Sequence, residues 1–153
     1  MTLELWILLS VYVVAIGAFC FIPKNKIRLA VLAFLTKHVI TFLIGLVVVE
    51  FGLIEYPVRL FPSVNRTSFT YEAFALPAVC SFFMIWYPID RSKLYQLGYY
   101  AAYCSVLTGF ELVLETYTDL IEYIHWEWYV TWISLCISFY ITRRLCVWFF
   151  SKA

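Results

Sequence analysis

The chain has 153 residues, 64% of them hydrophobic, 21% aromatic and only 14% charged, with a formal net charge of +1. So little charge leaves no basic surface for nucleic acid, and the apolar runs leave too little sequence for a soluble domain. The chain also lacks G-x-x-x-x-G-K, H-E-x-x-H and G-x-S-x-G, so nothing signals nucleotide, zinc-protease or serine-hydrolase chemistry.

A bilayer core about 30 Å thick needs about 20 mostly apolar residues per helix. Five stretches meet this, near residues 3–22, 29–54, 69–87, 94–114 and 126–150. They are continuous rather than alternating, which predicts helices and not barrel strands. The expected fold is all-α: a polytopic bundle of five spans forming one integral membrane domain over residues 1–153.

In the first stretch Glu4 is the only early charge, and Phe21-Ile22-Pro23-Lys24 follows the apolar run. This reads as a retained span rather than a signal peptide. Pro23-Lys24-Asn25-Lys26 predicts a tight turn with Asn25 capping span two. Span two is expected to stop at Pro57, with Glu55 and Arg59 pairing across the turn. Residues 61–67 are loop-like, and Asn65-Arg66-Thr67 matches a glycosylation sequon, a pattern common by chance. Pro77 near the middle of span three predicts a kink. Tyr95, Tyr99, Tyr100 and Tyr103 in span four suggest an aromatic belt. Between spans four and five, Leu120, Ile121, Ile124 and Trp128 would share one helical face. Asp119 and Glu122 are spaced like a capping pair, which predicts a short interfacial helix. Trp126, Trp128, Tyr129 and Trp132 then anchor span five.

Orientation follows from charge. Lys24, Lys26, Arg28, Arg91, Lys93, Arg143, Arg144 and Lys152 collect on one side, which the positive-inside rule makes cytoplasmic. The N-terminus is then outside and the C-terminus inside. Glu4, Glu50, Glu55, Glu72, Glu111, Glu115, Asp119, Glu122 and Glu127 map to the other side, an anionic face that concentrates cations. Cys20, Cys80, Cys104, Cys136 and Cys146 form no C-x-x-C pair and read as apolar filler.

Ionisable residues inside a span are functional candidates, because their burial is costly. At 1.5 Å per residue, Lys37 lies about 12 Å and Glu111 about 24 Å from the inner boundary, too offset for an easy pair. Lys37 either snorkels to the inner interface or is a buried functional amine. His38 leaves the helix on a different face, as a core histidine or a proton-transfer group. His125 lies at the outer surface, so a bis-histidine haem is not expected. Glu111 and Glu115 share a helical face, and two such carboxylates repel unless a cation, proton or arginine lies between them. Glu72 opens span three, where the helix N-terminus favours an anion.

The segments Leu53-Ile54-Glu55-Tyr56-Pro57-Val58-Arg59, Ser68-Phe69-Thr70-Tyr71-Glu72 and Tyr87-Pro88 resemble landmarks of a small five-span membrane protein family. The family occurs in Bacillus and other spore-forming Firmicutes and has no assigned function. The stretch from Glu111 through Glu115-Thr116-Tyr117-Thr118-Asp119 to His125-Trp126-Glu127-Trp128-Tyr129 is the most similar. The resemblance implies residence in a bacterial cytoplasmic membrane as a multi-pass protein, and brings no catalytic residue, cofactor or ligand with it. Lys37 departs from the family, where an uncharged polar residue is more usual.

The expected site is an outward-facing pocket of Glu55, Arg59, Glu72, Glu111 and Glu115, roofed by residues 118–128. It would bind or conduct a cation, a proton or a cationic headgroup, with Lys37 and His38 as a proton relay. No cofactor is expected. The partners expected are membrane lipids, a cation, and a second copy or another membrane protein, since five helices are few for a transporter. The alternatives are a membrane enzyme acting on a lipid or isoprenoid, with Glu72 or Glu111 as general acid or base, and a scaffold without chemistry. A lipid-sized cleft open sideways would favour the first alternative, and a closed wet funnel would favour permeation.

Overall fold

The computed structural model describes residues 3–151. Lys152, one of the basic residues assigned to the cytoplasmic side, lies outside them. The described residues form five α-helices: α1 (Leu3–Phe19), α2 (Ile27–Glu50), α3 (Leu76–Ile85), α4 (Lys93–Tyr117) and α5 (Trp128–Ser151). A 3-10 turn, Lys24–Lys26, precedes α2, and a π-helical segment, Phe69–Ala75, runs directly into α3. Three helical stretches, Lys24–Glu50, Lys93–Tyr117 and Trp128–Ser151, are long and apolar enough to cross a membrane. Leu3–Phe19 and Phe69–Ile85 are shorter apolar helices. The chain is a helical membrane protein.

Packing follows stripes of small and polar residues at helical spacing. On α2 the buried positions are Ala30, Ala33, Lys37, Thr41, Gly45 and Val49. On α5 they are Thr131, Leu135, Ser138, Phe139, Thr142 and Cys146. Lipid is as apolar as leucine, so the large aliphatic side chains can face outward while small residues bring backbones together. Val31, Leu35, Val39 and Leu43 are accordingly exposed on the opposite side of α2. The central element is α3, buried at eight of its ten positions. Phe83 is its hub, with ring contacts to Tyr87, Tyr99, Tyr100, Tyr103 and Phe139 at 4.9–5.5 Å. The tyrosines expected as an interfacial belt thus contribute partly to the core, where aromatic contacts add about 0.5–1.5 kcal/mol per pair beyond area burial. The helix α1 leans on the π-helical segment and α3 through Tyr12–Phe74 and Phe19–Phe82 ring contacts at 4.6 and 5.6 Å.

Three local expectations are corrected. Asn25 lies inside the 3-10 turn, and Lys26 holds the N-cap position of α2 without a side-chain cap. The helix α2 ends at Glu50 rather than near Pro57, because Gly52 adopts φ +64°, the left-handed conformation that closes helices. Pro77 lies near the middle of the continuous Phe69–Ile85 helix, where the π-helical segment meets α3, and the carbonyls of Glu72 and Ala73 before it are met by Thr41 Oγ1 at 2.6 Å and His38 Nδ1 at 2.7 Å. The interfacial helix at 118–125 is absent. Thr118 takes an extended conformation and terminates α4, its hydroxyl donating to Leu114 O at 2.6 Å and accepting from Leu120 N.

Beyond Thr118 the chain instead forms β2 (Glu122–Tyr123), antiparallel to β1 (Ile54–Glu55), with Ile54 opposite Tyr123 and Glu55 opposite Glu122. The early stop of α2 leaves Ile54 and Glu55 extended, and the returning strand pairs with them. Leu53 O accepts from both Ile124 N and His125 N, and Val58 N donates to Asp119 O. This small sheet ties the 50–68 and 118–127 connections into one cap over the end of the bundle.

Candidate functional site

Glu72 and Glu111 come together beneath that cap. The π-helical segment starts at Ser68, whose hydroxyl accepts from Tyr71 N, and this start turns Glu72 toward α2. The room for Glu72 comes from Gly45. A Cβ there would sit 2.9 Å from Thr67 Oγ1 and 3.0 Å from Glu72 Cγ, so only glycine allows α2 to lie against this side chain. Glu111 comes from α4 and is buried.

The carboxylates are held by hydroxyls rather than by arginine. Tyr56 donates to Glu72 Oε1 at 2.9 Å. Tyr71 donates to Glu111 Oε2 at 2.5 Å, and Thr131 donates to Oε1 at 2.9 Å. Tyr123 also donates to Oε1, and Trp126 Nε1 donates to Thr131 at 2.7 Å. Burial, reinforced by the charges of Glu72 and Glu111, pushes the Tyr56 hydroxyl well above the ordinary tyrosine range. Burial and then Glu111 raise Tyr123 as well. Both phenols therefore stay protonated and remain donors. Each bond from a neutral donor to a carboxylate contributes about 1.5–3 kcal/mol in a dry site.

Glu72, Glu111, Tyr56, Tyr71, Thr131 and Ser138 line one cavity of about 50 Å³. Lys37 reaches its lower wall. Its ammonium is fully buried, donates to Ser138 Oγ at 2.5 Å and lies 4.0 Å from the Phe139 ring centroid. It therefore turns into the bundle rather than snorkelling, and it contacts neither glutamate. Among the described residues the one ion pair is Arg66–Glu50, exposed at the surface.

The rest of the expected constellation lies elsewhere. Glu55 is exposed on β1, and Arg59 meets no glutamate. The Arg59 guanidinium instead closes the 56–65 loop, donating to Tyr56 O and Asn65 O at 2.7 Å and to Pro62 O at 3.3 Å. Glu55 and Arg59 share a surface depression of about 260 Å³ with Glu50 and Arg66, and Tyr56 separates it from the inner cavity. Glu115 is half-buried one turn beyond Glu111 and lines neither space. His38 leaves α2 on another face, with Nδ1 2.7 Å from Ala73 O and its ring between Phe34 and Phe42. Lys37 and His38 therefore do not meet. Asn65 Nδ2 is buried, so the sequon is shielded in the folded chain. No three of the described His, Cys, Asp and Glu residues cluster as metal ligands.

A second space adjoins the first. A groove of about 470 Å³ runs between α1 and α4 over α3, with almost wholly apolar walls. Tyr56, Tyr71, Leu76 and Glu111 line both spaces, so the groove ends against the same carboxylate cluster. The hydroxyl donors were not singled out as site residues from sequence. The available signal was that Tyr71 directly precedes Glu72, and that Thr131 and Ser138 lie seven apart on one face of an apolar helix. Set against known families, characterised proteins and solved structures, the chain matches none of them.

Proposed function

We propose that this is a five-span protein of a bacterial cytoplasmic membrane, with its N-terminus outside and its C-terminus cytoplasmic. In this reading it binds a cationic group at Glu72 and Glu111. The charge distribution supports the orientation. Lys24, Lys26, Arg28, Arg91 and Lys93 lie at the end of the bundle opposite the sheet cap, at the start of α2 and α4. A single cysteine at position 64 or 122, both exposed, labelled by a membrane-impermeant reagent in intact cells, tests it. Labelling only after lysis would reverse the topology.

The observation that carries the binding reading is the charge balance of the chamber. Among the described residues, two carboxylates line one cavity, a single ammonium approaches it, and no ion pair joins them. With both acids ionised, one negative charge inside the bilayer lacks a counter-charge, and such a charge recruits a cation or a proton. Hydroxyls orient the carboxylates without neutralising them, which suits a binding site better than a structural salt bridge. Purified protein should gain thermal stability with added cation, tested with sodium, potassium and alkylammonium salts. Glu111→Gln should abolish that gain. Equal shifts in parent and variant would sink the proposal.

A further inference from the structure

Resting on that reading, we infer that the cationic group is the nitrogen head of a single-chain amphiphile that enters sideways from the bilayer and lies in the groove between α1 and α4. The shape supports this. The α1 wall runs from Ile7 to Ala18, about 16 Å at 1.5 Å per residue, roughly half the depth of a bilayer core. Ala15 and Ala18 on α1 and Ala75 and Ala78 beneath them all line the groove, and side chains that stop at Cβ leave room there. A volume of about 470 Å³ lies within the range of sites for small organic ligands.

The chemistry at the closed end selects the head. A carboxylate offers about four lone-pair directions, and Glu111 uses three, for Tyr71, Thr131 and Tyr123. The remaining direction suits one N–H of an ammonium or the close approach of a quaternary nitrogen. Tyr56 and Tyr71 line the groove at the same point, and their rings and phenolic oxygens favour a cation. Leu120 and Ile121 close this end, both buried, so a hydrated inorganic ion meets hydrocarbon on approach from the cap. An alkyl chain gains from the same walls, at about 25 cal/mol per Å² of apolar area withdrawn from water.

The test uses the full chain in anionic-lipid nanodiscs, with binding read by native mass spectrometry and thermal shift. The probes are dodecylamine, dodecanol, butylamine and sodium chloride. Dodecylamine should bind at least tenfold more tightly than dodecanol or butylamine. Glu111→Gln should erase the preference for the amine, and Ala15→Leu should weaken dodecylamine at least fivefold without changing butylamine. Ala78→Leu, on the α3 floor of the groove, repeats this test should the α1 variant misfold. Equal binding of dodecanol and dodecylamine would mean that bulk acyl chains fill the groove, and would overturn the inference. So would a dimer that Ala15→Leu dissociates, because a second copy would then be the occupant. Shifts with sodium and butylamine but not with dodecylamine would overturn the inference and leave the cation site standing. No shift with any cation would remove both.

Discussion

Tyr71 on the π-helical segment donates to Glu111 on α4 at 2.5 Å, and this one bond joins the inner cavity to the lateral groove. Tyr71 lines both spaces, so its hydroxyl sets where the Glu111 carboxylate points. Tyr71→Phe should remove that restraint while keeping the ring. Stability should fall by about 1–2 kcal/mol, and amine binding should weaken more than alcohol binding. Chemical denaturation and ligand titration of the same preparation would check both.

Gly45 is the clearance for Glu72. Gly45→Ala places a methyl about where Thr67 Oγ1 and the Glu72 side chain now lie. Overpacking of this kind costs about 1–3 kcal/mol, and the displaced carboxylate should lose its bond from Tyr56. Gly98→Ala, where a Cβ meets nothing within 4 Å, is the matched control and should be neutral or slightly stabilising. A loss of equal size in both variants would refute the close-approach argument.

Lys37 is buried on one hydrogen bond and one ring face. Lys37→Met should leave stability within about 1 kcal/mol, because the desolvation cost disappears with the charge it replaces. Alkylammonium binding should tighten several-fold, since the ammonium that reaches the chamber wall at Ser138 is gone. Weaker binding in this variant would show instead that the lysine helps to build the site.

Alkaline pH should destabilise the cap. Tyr56 and Tyr123 titrate above the ordinary tyrosine value near 10. Above that pH the unfolded chain loses protons that the folded chain retains, so the stabilisation is complete below pH about 10 and declines as pH rises. The thermal midpoint should drop above pH 10, and the drop should shrink in Tyr56→Phe. A midpoint flat to pH 11 would contradict the burial of these phenols.

Residue chemistry alone was enough to mark the chain as a helical membrane protein, because a run of apolar residues in hydrocarbon has few other ways to satisfy its backbone. It also marked Glu72 and Glu111 as costly and therefore notable. Helix ends were less legible. The stop of α2 depends on the left-handed turn at Gly52, and the fate of 118–125 depends on a strand edge more than sixty residues away. Glu55, Arg59 and Glu115 looked equivalent to the buried acids because charge and depth were the only coordinates available. Which of them faces the interior is set by helix rotation and loop closure, and Arg59 was taken by its own loop carbonyls.

What the linear chain determined by itself is the solvent: its composition commits it to a bilayer, since water would not tolerate so much exposed hydrocarbon. What only the tertiary structure decided is the pairing of Glu72 with Glu111, their tyrosine and threonine donors, and the groove that meets them. Those contacts join residues from the cap, the π-helical segment, α4 and α5, and no local periodicity encodes distances between separate helices.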